Sequence, residues 1–424
     1  MEVRSRENIF PAGGDAMLNA VLIGVSGFGD VHYRDLLRWH HAGRLRFSAA
    51  AVINKAEQQE KCAEMNALGI RIYDDYRHML NSEKADLCCI PTGIAMHAPM
   101  SIAAMRAGMN VLVEKPAAAV MADVKAIQET EKETGHFTAV AFQDIYRPEI
   151  LRLKRLILNG IIGKIAHVTV CASSTSGDFY YRRNNWAGKL YCNGMPIFDS
   201  PFMNGNAHQL NLAFFLCGTT FDTSIGIRSV SGELYRIQKI ESFDTGAVHA
   251  AAENGIDFFF ILSKSAETPL PYRIILRGTR GRIAISPKAI SLPDGRRIPM
   301  EQDTMKIRDN ILRNLLGHIN SVPGSFLVNM NIAGTHVHCI ELMHKTLPIS
   351  TVNPEYVASR NLTDDRDMIF LRGINEIIKQ CASKHVMPSI RAPELFHVNH
   401  GEAGPGEKKC NAPQGVIQQK QFPE

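Results

Sequence analysis

Leu18-Asn19-Ala20-Val21-Leu22-Ile23-Gly24-Val25-Ser26-Gly27-Phe28-Gly29 is the stretch whose reading decides the fold. An apolar run of buried-strand length stops at a glycine, and helical periodicity follows from about Gly29 to Ala42. Glycines suit such a junction because the backbone must turn sharply and approach a pyrophosphate, while the next helix offers free N–H groups and a partial positive charge. Gly24, Gly27 and Gly29 meet those needs, and Ser26 stands where the G-x-G-x-x-G pattern has its second glycine.

Outward from that loop, strand and helix alternate. A strand from Phe47 to Ile53 ends at Asn54-Lys55; helical patterns near 56–68, 76–81, 97–107 and 121–134 are separated by apolar runs at 71–73, 86–90, 110–113 and 137–142. Such alternation predicts βαβ units and a doubly wound parallel sheet covered on both faces. From about Pro148 the rhythm changes. After a helical stretch to Asn159, strands are expected at 165–171, 224–231, 247–252, 255–263, 272–277 and 282–285, several joined by short turns. Helices are expected near 204–217, 307–320, 331–345 and 364–380. The fold class is α/β, with a second α+β domain built on a large, mainly antiparallel sheet. The division is a leader over residues 1–17, a nucleotide-binding domain over 18–147, a substrate and oligomerisation domain over 148–392, and a disordered tail over 393–424.

A chain of 424 residues is too long for one ordinary core, and 45% hydrophobic with 21% charged residues is the composition of a globular protein. A net charge of +5 without a dense Lys/Arg run makes nucleic acid an unsuited partner. Nine cysteines, odd in number and without Cys-x-x-Cys spacing, argue against a disulfide framework. Phe258-Phe259-Phe260-Ile261-Leu262 is far short of the roughly 20 apolar residues that span a bilayer, so no membrane partner is expected and the location expected is cytoplasmic. His336-Val337-His338 has no metal spacing on a helix, and no metal site is read.

Chemistry gathers at the strand ends, where ligands collect in open α/β sheets. Asn54 and Lys55 close the second strand, a place where an acidic side chain would bind the ribose hydroxyls of NAD; asparagine serves a hydroxyl or a phosphate and lysine attracts a phosphate, so NAD and NADP both stay open. Pro91, Thr92 and His97 follow the fourth apolar run, and Glu114-Lys115-Pro116 follows the fifth. An ammonium at Lys115 can hydrogen-bond a substrate oxygen and stabilise the charge that develops on it. The stretch from Tyr180 to Lys189 mixes donors with aromatic faces, which suits a polyhydroxyl or carboxylated sugar; Arg182 and Trp186 are the contacts expected from it.

Glu114-Lys115-Pro116, together with the glycine loop, His32, Pro91-Thr92-Gly93 and His97, resembles the Gfo/Idh/MocA family over about residues 18 to 345. The resemblance implies a Rossmann domain, an open-faced second domain that often forms oligomer contacts, NAD or NADP, and a sugar or cyclitol substrate. Gly24, Ser26, Gly27, Phe28, Gly29, His32, Asn54, Lys55, Pro91, Thr92, His97, Glu114, Lys115 and Gln143 would then hold the cofactor, with Lys115 the ligand of the substrate oxygen. The family's second catalytic stretch, usually Asp-x-Gly-x-His, resembles Asn204-Gly205-Asn206-Ala207-His208. On one helix that spacing puts Asn204 and His208 on a common face, with Asn204 binding substrate and His208 taking its proton. Asn204 and Asn211 stand where carboxylates are usual, and Asp199 is a candidate for the missing acid. The function expected is hydride transfer between NAD(P) and a hydroxyl or ketone of a sugar, sugar acid or cyclitol, by a homo-oligomer, dimer or tetramer. The alternatives are a redox-neutral epimerase, lyase or glycosidase with retained cofactor, and a non-catalytic sensor of cofactor or sugar.

Overall fold

The computed structural model describes residues 17–363 and 366–396. The leader expected over 1–17 therefore lies outside the described residues except for Met17, as does the expected tail beyond Phe396.

The first domain is a six-stranded parallel sheet of β1 (Asn19–Ile23), β2 (Arg46–Ala51), β3 (Arg71–Tyr73), β4 (Leu87–Ile90), β5 (Asn110–Val113) and β6 (Thr138–Val140), in the order β3-β2-β1-β4-β5-β6. Val21, Leu22, Cys88, Cys89, Val111 and Val113 are fully buried, because helices cover both faces of a parallel sheet. Strand order reverses between β1 and β4, which opens a crevice at their carboxyl ends.

The second domain is a nine-stranded sheet. Its strands are β7 (Ile165–Thr175), β10 (Ile227–Arg236), β11 (Thr245–Ala252), β12 (Asp257–Ser263), β13 (Ser265–Gly278), β14 (Gly281–Ile285), β15 (Ala289–Ser291), β16 (Arg297–Pro299) and β17 (Ile349–Thr351). A small hairpin of β8 (Tyr191–Cys192) and β9 (Met195–Pro196) is inserted after β7. The sheet order is β16-β15-β14-β13-β7-β12-β11-β10-β17, and it is mostly antiparallel; β7 with β12 and β10 with β17 run parallel.

Alternation along these strands feeds two cores. Phe258, Phe260 and Leu262 point into the large core shared with the helices Ala207–Cys217 and Met330–Thr346 and with the first domain, whereas Phe259 and Ile261 point to the opposite face. That outer face is not bare. The helix Ile374–Lys384 lays Ile374, Ile378 and Cys381 on it at helical spacing, and Leu395 and Phe396 pack beside them, so packed chain continues past Pro393, where the tail was expected to begin.

Two expectations are corrected here. The helix expected over 364–380 begins only at Ile374; ahead of it runs a hairpin of β18 (Val357–Thr363) and β19 (Arg366–Leu371). Met368 and Phe370 are buried while Asp367 is exposed, the period of a strand, which the short window concealed. Nor do Asn204 and His208 share one helix: Pro201–Gly205 forms a π-type turn, and the α-helix starts at Ala207 after Asn206 leaves helical geometry. Among the described residues no helix is long and apolar enough to cross a membrane.

Candidate functional site

The loop after β1 is shaped by steric need. Gly24 holds φ +90°, and its N–H donates to Ala51 O at 2.9 Å, tying the turn to β2. A Cβ on Gly29 would stand 2.5 Å from Gly24 O, so only glycine lets the helix Gly29–His41 start this close to the turn. At Gly27, with φ +58°, nothing lies within 4 Å of a Cβ position, which leaves the loop backbone open to a ligand. A tight turn, an open loop and a helix N-terminus together fit the pyrophosphate of a dinucleotide.

Ser26, Gly27 and Phe28 line one side of a cavity of about 640 Å³. Pro91, Thr92 and His97, then Glu114 and Lys115, line the rim above β4 and β5, and the second domain closes the cavity with Tyr180, Arg183, Asn184, Trp186 and Asn204. Trp186 packs its indole against the Gly93 turn, where a Cβ would lie 3.8 Å from Nε1. His97 is buried, with Nδ1 2.7 Å from Pro116 O and Nε2 3.0 Å from Thr92 O; it joins the loops after β4 and β5, and burial lowers its pKa.

Glu114 is fixed from several sides. Its Oε1 lies 2.9 Å from His32 Nε2 and 3.8 Å from Arg308, and its Oε2 accepts the Lys115 N–H at 3.0 Å. Burial would raise its pKa, but the hydrogen bond and charge of His32, with Arg308 and Lys115, outweigh burial and hold the carboxyl at about 2. Arg308 also bonds Asp35 at 2.5 Å, meets Gln143 at 3.5 Å and stands 5.5 Å over the Phe28 ring. It comes from the helix Thr304–Ile319, and no local motif marks it.

Lys115 Nζ donates to Asn204 Oδ1 at 2.8 Å and to Asn204 O at 3.1 Å, so the two domains meet at this ammonium. Asn204 Nδ2 in turn donates to Asp199 Oδ1 at 3.1 Å, while the Gly188 N–H donates to Asp199 Oδ2 at 2.7 Å. Asp199 is buried, one step behind the amide. The carboxylate expected in contact with the lysine is thus replaced by an asparagine that an aspartate orients. Burial lowers the pKa of Lys115, with Glu114 opposing that shift and Lys264 adding to it. Lys264 is buried; its Nζ donates to the Tyr180 hydroxyl and lies 4.2 Å from the centre of the same ring. Arg183 covers Tyr180 at 3.6 Å and lies 5.1 Å from Trp186. Lys264 sits at the step between β12 and β13, again without a motif to announce it.

His208 is not among the side chains lining the cavity. Its ring meets Phe142 edge-on with centroids 5.7 Å apart, and its Nδ1 has no hydrogen-bond partner among the described residues. Burial pushes it down to about 4, which leaves it neutral, and the charges of Asp144 and Lys115 both reach it. Lys154 anchors the far end of its helix by donating to Phe215 O and Gly218 O, each at 2.6 Å. Arg182 points elsewhere: its ion pair with Asp178 at 2.7 Å, one helical turn back, turns it to a neighbouring cavity, and Arg183 takes the place expected of it. Asn54 and Lys55 stand at the end of β2 away from the cavity, Asn54 donating to Glu57 at 2.7 Å and Lys55 paired with Asp74 at 2.7 Å.

Residues 18–142 match the model of the Gfo/Idh/MocA oxidoreductases, described as an oxidoreductase family with an NAD-binding Rossmann fold. The chain is 25% identical over 289 residues to dTDP-3,4-didehydro-2,6-dideoxy-alpha-D-glucose 3-reductase of Streptomyces violaceoruber, covering 68% of this chain and 78% of that protein. It is 26% identical over 148 residues to inositol 2-dehydrogenase of Salmonella typhimurium, covering 35% and 43%. The crystal structure of the WlbA dehydrogenase from Bordetella pertussis, in complex with NADH and UDP-GlcNAcA, shares the fold with a TM-score of 0.63 at 20% identity, over 78% of this chain and 96% of that one.

Proposed function

We propose that this chain, whose residues 18–142 match the NAD-binding Rossmann domain of the Gfo/Idh/MocA oxidoreductases, oxidises or reduces one carbon of an anionic sugar, of the sugar-acid class, in the cavity between its two domains. When bound, the nicotinamide supplies the hydride exchange. The observation that carries the reading is Lys115, half-buried at the end of β5 and held by Asn204 of the second domain. An ammonium has three hydrogens; Asn204 engages two acceptor positions, and the third hydrogen serves the substrate oxygen. Charge developing on that oxygen is stabilised by the ammonium. His208, expected to take the substrate proton, stands back from the cavity lining with its Nδ1 buried, so direct proton transfer to it is not part of this reading.

Substrate charge follows from the balance around the cavity. Lys115 and Arg183 line it and Lys264 stands behind Tyr180, whereas Glu114 is already matched by His32 and Arg308. A carboxylated sugar suits that excess of positive charge, and Trp186 and Tyr180 offer ring faces for the pyranose. The dinucleotide is NAD rather than NADP, because Lys55 is matched by Asp74 and Asn54 by Glu57, leaving little positive charge for a 2′-phosphate.

The test is Lys115→Met. NADH binding, read by fluorescence titration, is expected to stay within about threefold of the parent, while turnover on a sugar-acid panel falls by roughly 100-fold or more. Unchanged turnover overturns the assignment of Lys115; tight retained cofactor with no net NADH formation in the parent selects the redox-neutral reaction instead.

A further inference from the structure

The outer face of the large sheet holds a second cluster of chemistry-bearing side chains, at its rim and remote from the cavity. His167 on β7 and Asp257 on β12 are register partners in a parallel pair, so their side chains stand on the same face. His385 reaches that face from the end of the helix Ile374–Lys384, at a left-handed backbone position with φ 54°. Its ring stacks on Phe259, with centroids 5.6 Å apart, and its Nε2 lies 2.7 Å from Thr169 Oγ1; Thr169 and Phe259 are the next register pair along the same face. One ligand atom from each of His167, Asp257 and His385 lies within 4.8 Å of the other two. His249, on β11, brings Nδ1 to 3.1 and 3.2 Å from the two Asp257 oxygens.

We propose that His167, Asp257 and His385 bind one zinc ion, which fastens the C-terminal helix to the sheet. Two imidazoles and a carboxylate are the donor types of zinc, whereas magnesium and calcium prefer all-oxygen sets. Zinc bonds of about 2.0–2.2 Å bring ligand atoms to within roughly 3.5 Å of one another. Closing the spread of up to 4.8 Å calls for side-chain rotation, for which His167, the exposed member of the three, has room. The backbone needs no shift, because β7 and β12 are locked in register and His385 is seated by Phe259 and Thr169. Thr169 acts on His385 as outer-shell partners do on metal-bound histidines, holding one ring nitrogen so that the ring cannot turn. His249 does the same for the carboxylate, or fills the fourth position in place of water. Arg277, the β13 register partner of His167, opposes a cation by its charge, but its half-buried side chain is long enough to swing its guanidinium into solvent.

The site joins residues separated by up to 218 positions, counted from 167 to 385, so the ion would act on the hold of the C-terminal segment rather than on hydride transfer. The test uses the untagged full-length chain stripped with chelator and then titrated with zinc alone, magnesium serving as control. Zinc at about a hundred times its dissociation constant is expected to raise the melting midpoint by roughly 3 °C or more, while magnesium does not. The rise is expected to vanish in His385→Asn and in Asp257→Asn, both of which keep turnover and NADH affinity. Calorimetry of the parent should show one zinc per chain. No rise with zinc overturns the proposal, as does a rise that survives in both variants. Should either variant fold poorly, calorimetry on His167→Ala, at the exposed position, decides: retained binding at the parent affinity overturns the site, and a loss of tenfold or more supports it.

Discussion

The Lys115 ammonium is linked to the Asp199 carboxylate through Asn204, and that relay has a direction: the amide oxygen faces the ammonium and the amide nitrogen faces Asp199. Asn204→Asp would not restore a missing acid. It would set a second carboxylate against Asp199 where a hydrogen bond of 3.1 Å now lies, forcing one of the pair to take a proton. The expected loss is about 1–3 kcal/mol of stability in urea unfolding, with a fall in kcat/KM. Combining it with Asp199→Asn reverses donor and acceptor along the relay and is expected to recover part of the loss, a coupling of roughly 0.5–3 kcal/mol in a double-mutant cycle. A double variant no better than the worse single one would show that the relay does not operate. The sequence offered Asp199 as a candidate for the missing acid, but nothing local reveals that the amide of residue 204 turns toward it.

At the scale of elements, the helices Ala207–Cys217 and Met330–Thr346 bring His208 and His336 against Phe142 of the first domain and His344 among Phe198 and Phe243 of the second. His336 bonds Phe202 O at 2.9 Å, His344 stacks on Phe198 with centroids 4.4 Å apart, and burial pushes all three down to about 4. An unfolded chain protonates them near their ordinary 6.5. Between those values the unfolded state binds more protons, so stability falls as pH falls, by up to about 1.4 kcal/mol per pH unit for each histidine. Glu114 acts in a lower window: its contribution is present above 4.5 and is lost as pH drops toward about 2. Melting midpoints at pH 7 and pH 5.5 should therefore differ clearly, and His336→Gln should shrink that difference; an equal drop in the variant contradicts the account. Most elements were legible because each kind carried its own period, and β1 was additionally cut off by Gly24. The β18–β19 hairpin was not, since six residues with Met368, Phe370 and Leu371 satisfy either period until the face they cover is known. Site residues were legible where they close a strand, as Glu114 and Lys115 do; Arg308 and Lys264 reach the site through packing alone.

Across the whole molecule, the outer face of the large sheet bears on the expectation of a homo-oligomer. A bare face of that size is an argument for burial against a second subunit. Here Phe259, Ile261 and Tyr235 are instead covered by the chain's own Ile374, Ile378, Leu395 and Phe396, so the expectation of a homo-oligomer through this face loses its physical ground. Ile378 is fully buried at the centre of the cover, and Ile378→Asp would place a carboxylate against the Phe259 side of the sheet. The helix should lift while the larger core, which takes the opposite residues of the same strands, stays packed. Light scattering on eluted peaks should then show self-association of the variant, with dye binding to the exposed face, and NADH affinity should change by less than about threefold, because the cavity draws nothing from the outer core. A parent and variant of equal mass, neither binding dye, would mean that the cover is not what keeps this face from a partner.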